Sequence, residues 1–394
     1  MALHSSIPTM SRDGLTLELT GETPAELANF GISTTHLPAE WAPQSGVQLT
    51  WPHAHTDWAP ILPQVTRCYV RMAMEIACRE RLLIVAPHPV EVRALLKEQL
   101  PSSVLGNIAL CQCPTNDTWA RDHGFITLRG GECPLLLDFR FNGWGEKFES
   151  SLDNAINSRL YTTGLLNGTY TDHNDFVLEG GSIESDGQGT ILTTAQCLTA
   201  PHRNQPLSEA DIEERLLRYL HADRVLWIRH GYLAGDDTDC HVDTLARLCP
   251  ADTIAYVQCN DKDDEHYTEL QLMEEELKAF RTKDDKPYRL MPLPMAAPVY
   301  DEEGNRLPAT YANFLVMNGA VLMPTYGQAA LDEAARAQLQ KAFPRHQIVG
   351  IDCRPLIVQH GSLHCCTMQF PVGVINEETF CKHTVINEHT DTDK

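Results

Sequence analysis

Apolar residues along this chain recur with two periods, and the two alternate. Short runs such as "VQLTW" and "RLLIVAP" read as strands, whereas residues 61–79 and "VEVRALLKEQL" carry the spacing of helices. After the strand "NIALCQC" one cassette keeps returning: helix, strand, loop, then a pair of strands. One copy has a helix over 151–166, the strand "DFVLE" and the pair "GSIES" and "TILTT", joined through an Asp-Gly turn. Another runs from "SEADIEERLLRYLH", where Ser208 and Glu209 suit a helix start, through "RVLWIR" to "HVDTLARL" and "TIAYVQ". A further copy has "HYTELQLMEEELKAFRT", "YRLMPLP" and two strands meeting at Asn-Gly, "ANFLVM" and "AVLMPTYG". The last has "LDEAARAQLQKAF", "HQIVGID" and "SLHCCTMQFP". With residues 47–140 assembled as the first, the count is about five. Identity between copies is negligible, so the repeat is one of structure. Strand pairs closed by tight turns favour mixed or antiparallel sheets over a purely parallel α/β design. Repeating such a unit around an axis predicts a closed α/β propeller.

Residues 1–36 are polar and read as an extension ahead of a single domain over 37–394. A length of 394 residues suggests two or three domains, but a closed α/β ring of this size also folds as one. The 43% hydrophobic and 21% charged contents are those of a soluble globular protein. With 31 basic and 53 acidic side chains the formal charge is −22, which argues against nucleic acid or an anionic membrane as partner. It suits a cationic small molecule. No apolar run approaches the ~20 residues that cross a bilayer, and "MALHSSIPTMSRDG" has no secretory pattern. Thirteen cysteines, mostly in strand-like segments, fit reduced thiols buried as small hydrophobes in a cytoplasmic protein. Room remains for a homo-oligomer, dimer or higher.

Four cassettes carry an unusual polar cluster: "NDTWARDHGF" (116–125), "LEGGSIE" (178–184), "GDDTDCHVDT" (235–244) and "GSLHCC" (361–366). Each lies where the loop enters its strand pair, so in a propeller all four converge near the axis on one pocket. Taken singly, each reads as well as a turn or a solvated loop. In an extended strand His241 and Asp243 share a face, which points to acid–base chemistry or a metal. The zinc spacings are absent: the chain has no Cys-x-x-Cys and no His-Glu-x-x-His. No metal and no cofactor are expected. Gly-x-Ser-x-Gly and Gly-x-Gly-x-x-Gly are absent too.

Together, and in this order, the clusters resemble the guanidino-group-modifying (pentein) superfamily. The nearest likeness is to agmatine deiminases and the related Porphyromonas-type peptidylarginine deiminase family. It covers roughly residues 37–373, with "LPAEWAPQSGVQLTWPHAHTDW" as its opening and "NDTWARD", "EGGSIESDGQGTILTT", "GDDTDCHVD" and "GSLHCCTMQFP" as further motifs. The resemblance implies a five-bladed α/β propeller of ββαβ-type modules. It places the nucleophile at Cys365, the His-x-Asp pair at His241 and Asp243, and further catalytic acids at Asp122 and Glu179. Trp119 and Asp237 join Asp122 and Asp243 as substrate-binding residues.

The implied reaction is deimination of a small cationic guanidino compound. Agmatine plus water would give N-carbamoylputrescine and ammonia through a covalent thiouronium on Cys365, a step in putrescine biosynthesis. Arginine or peptidyl-arginine deimination is the alternative; amidinotransfer and ligand binding without turnover rank below it. Two carboxylates can each accept paired N–H bonds from a guanidinium, and a trapped cation favours the reactive thiolate. If the pair of cysteines lies in a strand, Cys365 faces the pocket and Cys366 faces away. Three departures from the family pattern stand out: Cys240 where Gly precedes the His-x-Asp pair, "RDHGF" with His123 beside the clamp, and the altered ending "HGSLHCCTMQF". A substrate carboxylate would need an arginine partner, for which Arg121, Arg140 and Arg247 are available.

Overall fold

A computed structural model describes residues 35–131 and 133–386. The extension over 1–36 therefore lies almost wholly outside the described residues. Strand β1 (Gln44–Thr50) leads through helix α1 (Leu62–Ala77) to β2 (Arg81–Ala86), then through α2 (Pro89–Gln99) to β3 (Ile108–Gln112). Helix α1 forms here because Val65, Tyr69, Met72 and Ile76, spaced by three or four residues, give it one apolar stripe, and all four are buried.

A common unit then follows four times. Strands β4 (Ile126–Leu128) and β5 (Leu135–Arg140) pair antiparallel, and α3 (Ile156–Thr162) carries the chain to β6 (Thr169–Val177), parallel to β5. The second unit is β7 (Ile183–Ser185), β8 (Thr190–Thr194), α4 (Glu209–Tyr219) and β9 (Arg224–Ile228). The third is β10 (Ala246–Cys249), β11 (Thr253–Gln258), α5 (Tyr267–Ala279) and β12 (Arg289–Pro294). After a small hairpin of β13 (Val299–Tyr300) and β14 (Arg306–Leu307) comes the fourth: β15 (Leu315–Met317), β16 (Ala320–Thr325), α6 (Ala329–Ala342) and β17 (Gln347–Asp352). The last strand, β18 (Thr367–Pro371), pairs antiparallel with β1, so the first sheet takes its leading strand from the other end of the domain.

Local chemistry sets the boundaries. The Ser208 hydroxyl accepts from Asp211 N and the Asp211 carboxylate accepts from Ser208 N at 2.8 Å, a reciprocal cap that starts α4. Between β15 and β16 the Asn-Gly turn puts Gly319 at φ 73°, where a side chain would be strained. The predicted single helix over 151–166 is two short ones, Ser151–Asn154 and Ile156–Thr162. Among the described residues no helix is long and apolar enough to cross a membrane.

Candidate active site

Five turns, each running into the leading strand of a sheet, bring the polar residues together. His364, Cys365 and Cys366 lie in the turn before β18 and not in the strand, which starts at Thr367. Side-chain alternation along a strand therefore does not separate the two thiols, but the turn does. Cys365 lines a cleft bounded also by Asp122, Trp119 and Trp144. Cys366 is fully buried, beside Tyr69 and Cys68. The Cys365 sulfur lies 3.8 Å from Asp243 Oδ2 and 3.2 Å from Asn313 Nδ2. Burial first, then the carboxylates of Asp243 and Asp122, push its thiol well above the ordinary value.

His241 and Asp243 do not sit in an extended strand as the sequence predicted. Val242–Thr244 is a 3-10 turn, closed by bonds from the Thr244 amide (3.2 Å) and hydroxyl (2.8 Å) to the His241 carbonyl; the strand begins only at Ala246. The two residues still converge, because both look onto Gly181. A Cβ on Gly181 would lie 2.7 Å from His241 Nδ1, 2.9 Å from Asp122 Oδ1 and 3.2 Å from Asp243 Oδ2. Only glycine allows that approach.

His241 is fully buried, with Nδ1 at 3.7 Å from Asp122 Oδ1 and Nε2 at 4.0 Å from Glu179 Oε2. Neither ring nitrogen has a hydrogen-bond partner. Burial works against protonation of the ring, but Asp122, the Cys197 sulfur and Glu179 outweigh it and hold the pKa well above a histidine's usual value. Asp122 accepts from the Gly181 amide at 3.0 Å and from Trp144 Nε1 at 3.0 Å. Burial raises its carboxyl to about 6, opposed by His241 and reinforced by Asp243 and Glu179. Glu179 is held by Arg203, whose Nε lies 3.0 and 3.3 Å from its two oxygens.

Asp243 belongs to a second buried chain. His364 Nδ1 donates to Asp243 Oδ2 at 2.7 Å, and His364 Nε2 lies 2.8 Å from Glu40 Oε2. Arg247 Nη2 donates to the same Glu40 oxygen at 2.6 Å, and Arg247 Nε donates to Glu184. Burial opposes ionisation of Asp243, but the hydrogen bond and charge of His364 prevail and hold its carboxyl below the usual range. Its Oδ1 has no partner and is free to accept one guanidinium N–H.

At the cleft mouth stand Asp57, Asp117 and Asp237, with Trp119 as one wall. Asp117 accepts from the indoles of Trp58 and Trp119 at 3.1 Å each, which fixes the wall. The three predicted arginines are elsewhere: Arg247 is locked to Glu40 and Glu184, Arg121 is buried against Met368, and Arg140 is exposed and lines no part of the cleft. His123 follows Asp122 in sequence but turns away; its Nε2 lies 3.3 Å from Thr50 Oγ1, and burial lowers its pKa to about 3. Two buried triads, Glu179–Cys197–His241 and Glu40–Glu184–His364, have donor spacings short enough for a metal ion. In each an arginine already occupies the carboxylates, so the donor sets fit ion pairing better than a cation.

Residues 36–371 match the family of Porphyromonas-type peptidyl-arginine deiminases. The chain belongs to that family. A Legionella pneumophila protein assigned the name agmatine deiminase is 34% identical over 343 residues, 85% of this chain and 94% of the relative. Among solved structures, a Porphyromonas gingivalis protein assigned as an arginine deiminase is 51% identical with a TM-score of 0.82, covering 87% of this chain and all of that one. An agmatine deiminase from C. jejuni, solved with substrate bound, is 37% identical with a TM-score of 0.78 over 85% of this chain and 96% of its own.

Of the residues the resemblance assigns to the site, Cys365, Asp122, Trp119 and Asp237 line the cleft, and His241, Asp243 and Glu179 lie directly behind it. Sequence reasoning missed Glu40, Trp144, Arg203 and Asn313. A signal existed for the last: four cassettes supplied a polar cluster at the entrance to their strand pair, and Asn313 is the fifth, two residues before β15.

Proposed function

We propose that the chain is an agmatine deiminase, a hydrolase of guanidino C–N bonds that converts agmatine and water to N-carbamoylputrescine and ammonia. The observation that carries this choice of substrate is the charge of the cleft. Carboxylates stand at its floor (Asp122) and mouth (Asp57, Asp117, Asp237), and no lysine or arginine is among its described lining residues. A cationic butylamine tail is attracted there, whereas the carboxylate of free arginine is repelled.

In this reading the guanidinium sits between Asp122 and Asp243 Oδ1, with its central carbon facing Cys365. The arriving cation offsets the two carboxylates that hold the thiol protonated, so the sulfur loses its proton to solvent and attacks. His241, kept protonated by its acidic neighbours, gives a proton to the departing nitrogen as the C–N bond breaks and ammonia leaves. The neutral ring, flanked by Glu179, then takes a proton from water as the water attacks the S-alkylthiouronium. The C–S bond breaks and leaves the ureido product and Cys365. These roles for Cys365, His241, Asp243, Asp122 and Glu179, with Trp119 and Asp237 binding substrate, are supported by the distances above.

We also take the five like-built sheets to close into a five-bladed propeller as one catalytic domain from residue 37. The common topology of the sheets and the β1–β18 pairing favour that closure. Ammonia release from agmatine, free arginine and an internal peptidyl-arginine tests the function. Agmatine should give the highest kcat/KM; citrullination of the peptide without turnover of agmatine would overturn the assignment.

A further inference from the structure

Arg121 and Asp122 are consecutive in the turn before β4, yet they line different spaces. Asp122 lines the cleft, whereas Arg121 lines a second cavity that shares none of the cleft's described lining residues. Arg121 is buried, with 4% of the residue exposed. Its Nη1 reaches Met368 Sδ at 3.6 Å, while Nε and Nη2 have no hydrogen-bond partner among the described residues. Those two atoms form the side-on fork of a guanidinium, whose parallel N–H groups match two oxygens of a planar anion. We propose that this cavity binds a small monovalent oxyanion, a carboxylate of formate or acetate size, gripped on the Nε–Nη2 edge of Arg121.

Two carboxylates also line the cavity, Glu40 and Glu184, but their oxygens are bonded elsewhere. Glu40 is held by Arg247, His364 and the Val316 amide, and Glu184 by Arg247 and the Leu248 amide. Burial lowers the Arg121 pKa and Arg247 adds to this; Glu40, Asp243 and Glu184 act the other way without bonding to it. A buried cation with no bonded counter-charge is costly to hold, and an anion on its fork removes that cost. Thr127 Oγ1, buried and also unpartnered, can turn its O–H toward the same ion. The oxygens Gln44 Oε1 and Gln369 Oε1 lack partners as well, and with the two glutamates they repel a multiply charged ion such as phosphate. The cavity offers about 60 Å³; one water needs about 10–15 Å³, so a ligand of about four heavy atoms fits. Pro43 at its rim is exposed, which gives the ion a way in from solvent.

The test follows the melting temperature of the full chain as sodium formate replaces sodium gluconate at constant ionic strength, gluconate being too large for the cavity. In the wild type the midpoint should rise and saturate, by about 2 °C at tenfold excess over Kd. Arg121→Lys keeps the charge and loses the fork, so its midpoint should not respond to formate. No saturable rise in the wild type, or an equal rise in Arg121→Lys, would overturn the proposal. If Arg121→Lys fails to fold, wild-type crystals grown without carboxylates and then soaked in formate decide. Density for a planar ion on the Nε–Nη2 edge upholds the site, and water alone there refutes it. Neither measurement involves turnover of a guanidine, so a failure of the proposed function leaves both expectations unchanged.

Discussion

Two buried histidines, each between two carboxylates, behave as opposites. His364 meets Asp243 and Glu40 at 2.7 and 2.8 Å, whereas His241 stands 3.7 and 4.0 Å from Asp122 and Glu179. One ring is tied at both ends; the other makes no hydrogen bond to nitrogen or oxygen, with the Cys197 sulfur beside it. Bonds already made give stability and fix a neighbour in place. A buried ring with its bonds still to be made is costly to keep, and such unsatisfied groups cluster where protons must move. The contrast fits the proposed roles, with His364 holding Asp243 in place and His241 moving protons.

The largest effect should come from His241→Ala, which removes the group proposed to act as acid and then as base. We expect kcat to fall about 10²–10⁴-fold in steady-state assays, with a smaller change in melting temperature than His364→Gln produces. Equal stability losses in the two variants would erase the distinction. Next, His364→Gln keeps an amide near the Nε2 end but loses the Nδ1 bond to Asp243. Breaking that buried pair should cost about 3 kcal/mol in denaturant unfolding. With His364 no longer holding its carboxyl down, the pKa of Asp243 rises, so the acid limb of kcat/KM should move to higher pH. A loss of activity uniform across pH would reduce His364 to scaffolding.

A third test concerns Asp122, whose carboxyl stands at about 6. In the proposed mechanism the ionised form binds the guanidinium, so below that pH protonation of Asp122 should add a further fall in kcat/KM of about tenfold per unit. In His241→Ala the limb should shift upward, because the opposing imidazolium is gone; an unmoved limb would detach Asp122 from the His241 side. The smallest effect is expected for Cys366→Ala, with activity within about threefold of wild type in the ammonia assay, while Cys365→Ala abolishes it. The reverse would exchange the roles of the two thiols.

The hydrophobic rhythm makes the sheet units readable in the sequence, because apolar spacing is set by which face of each element is buried. The local shape of the two decisive motifs was not. "HVD" and "HCC" look like strand starts in sequence, but both are turns held by bonds to their own carbonyls, which apolar spacing does not report. One clue lay in the resemblance to the family pattern, which implies glycine before the His-x-Asp pair. Cys240 stands there, and its φ of 70° is the left-handed conformation that glycine adopts freely. Glu40 and Arg203 were illegible for another reason. Glu40 meets its partners Arg247 and His364 across 207 and 324 residues, and Arg203 reaches Glu179 from a neighbouring loop, so only the tertiary fold matches these charges.

The pairing of β1 with β18 joins segments more than 300 residues apart in the chain, and the turn carrying Cys365 runs directly into the later one. Closing so long a loop comes late in folding, since its entropy must be met before any contact compensates. The carboxylates and His241 emerge from the ribosome well before the sulfur does. A nascent chain can thus gather an acidic pocket before the proposed nucleophile arrives, and on that reading activity waits for the final strand to dock.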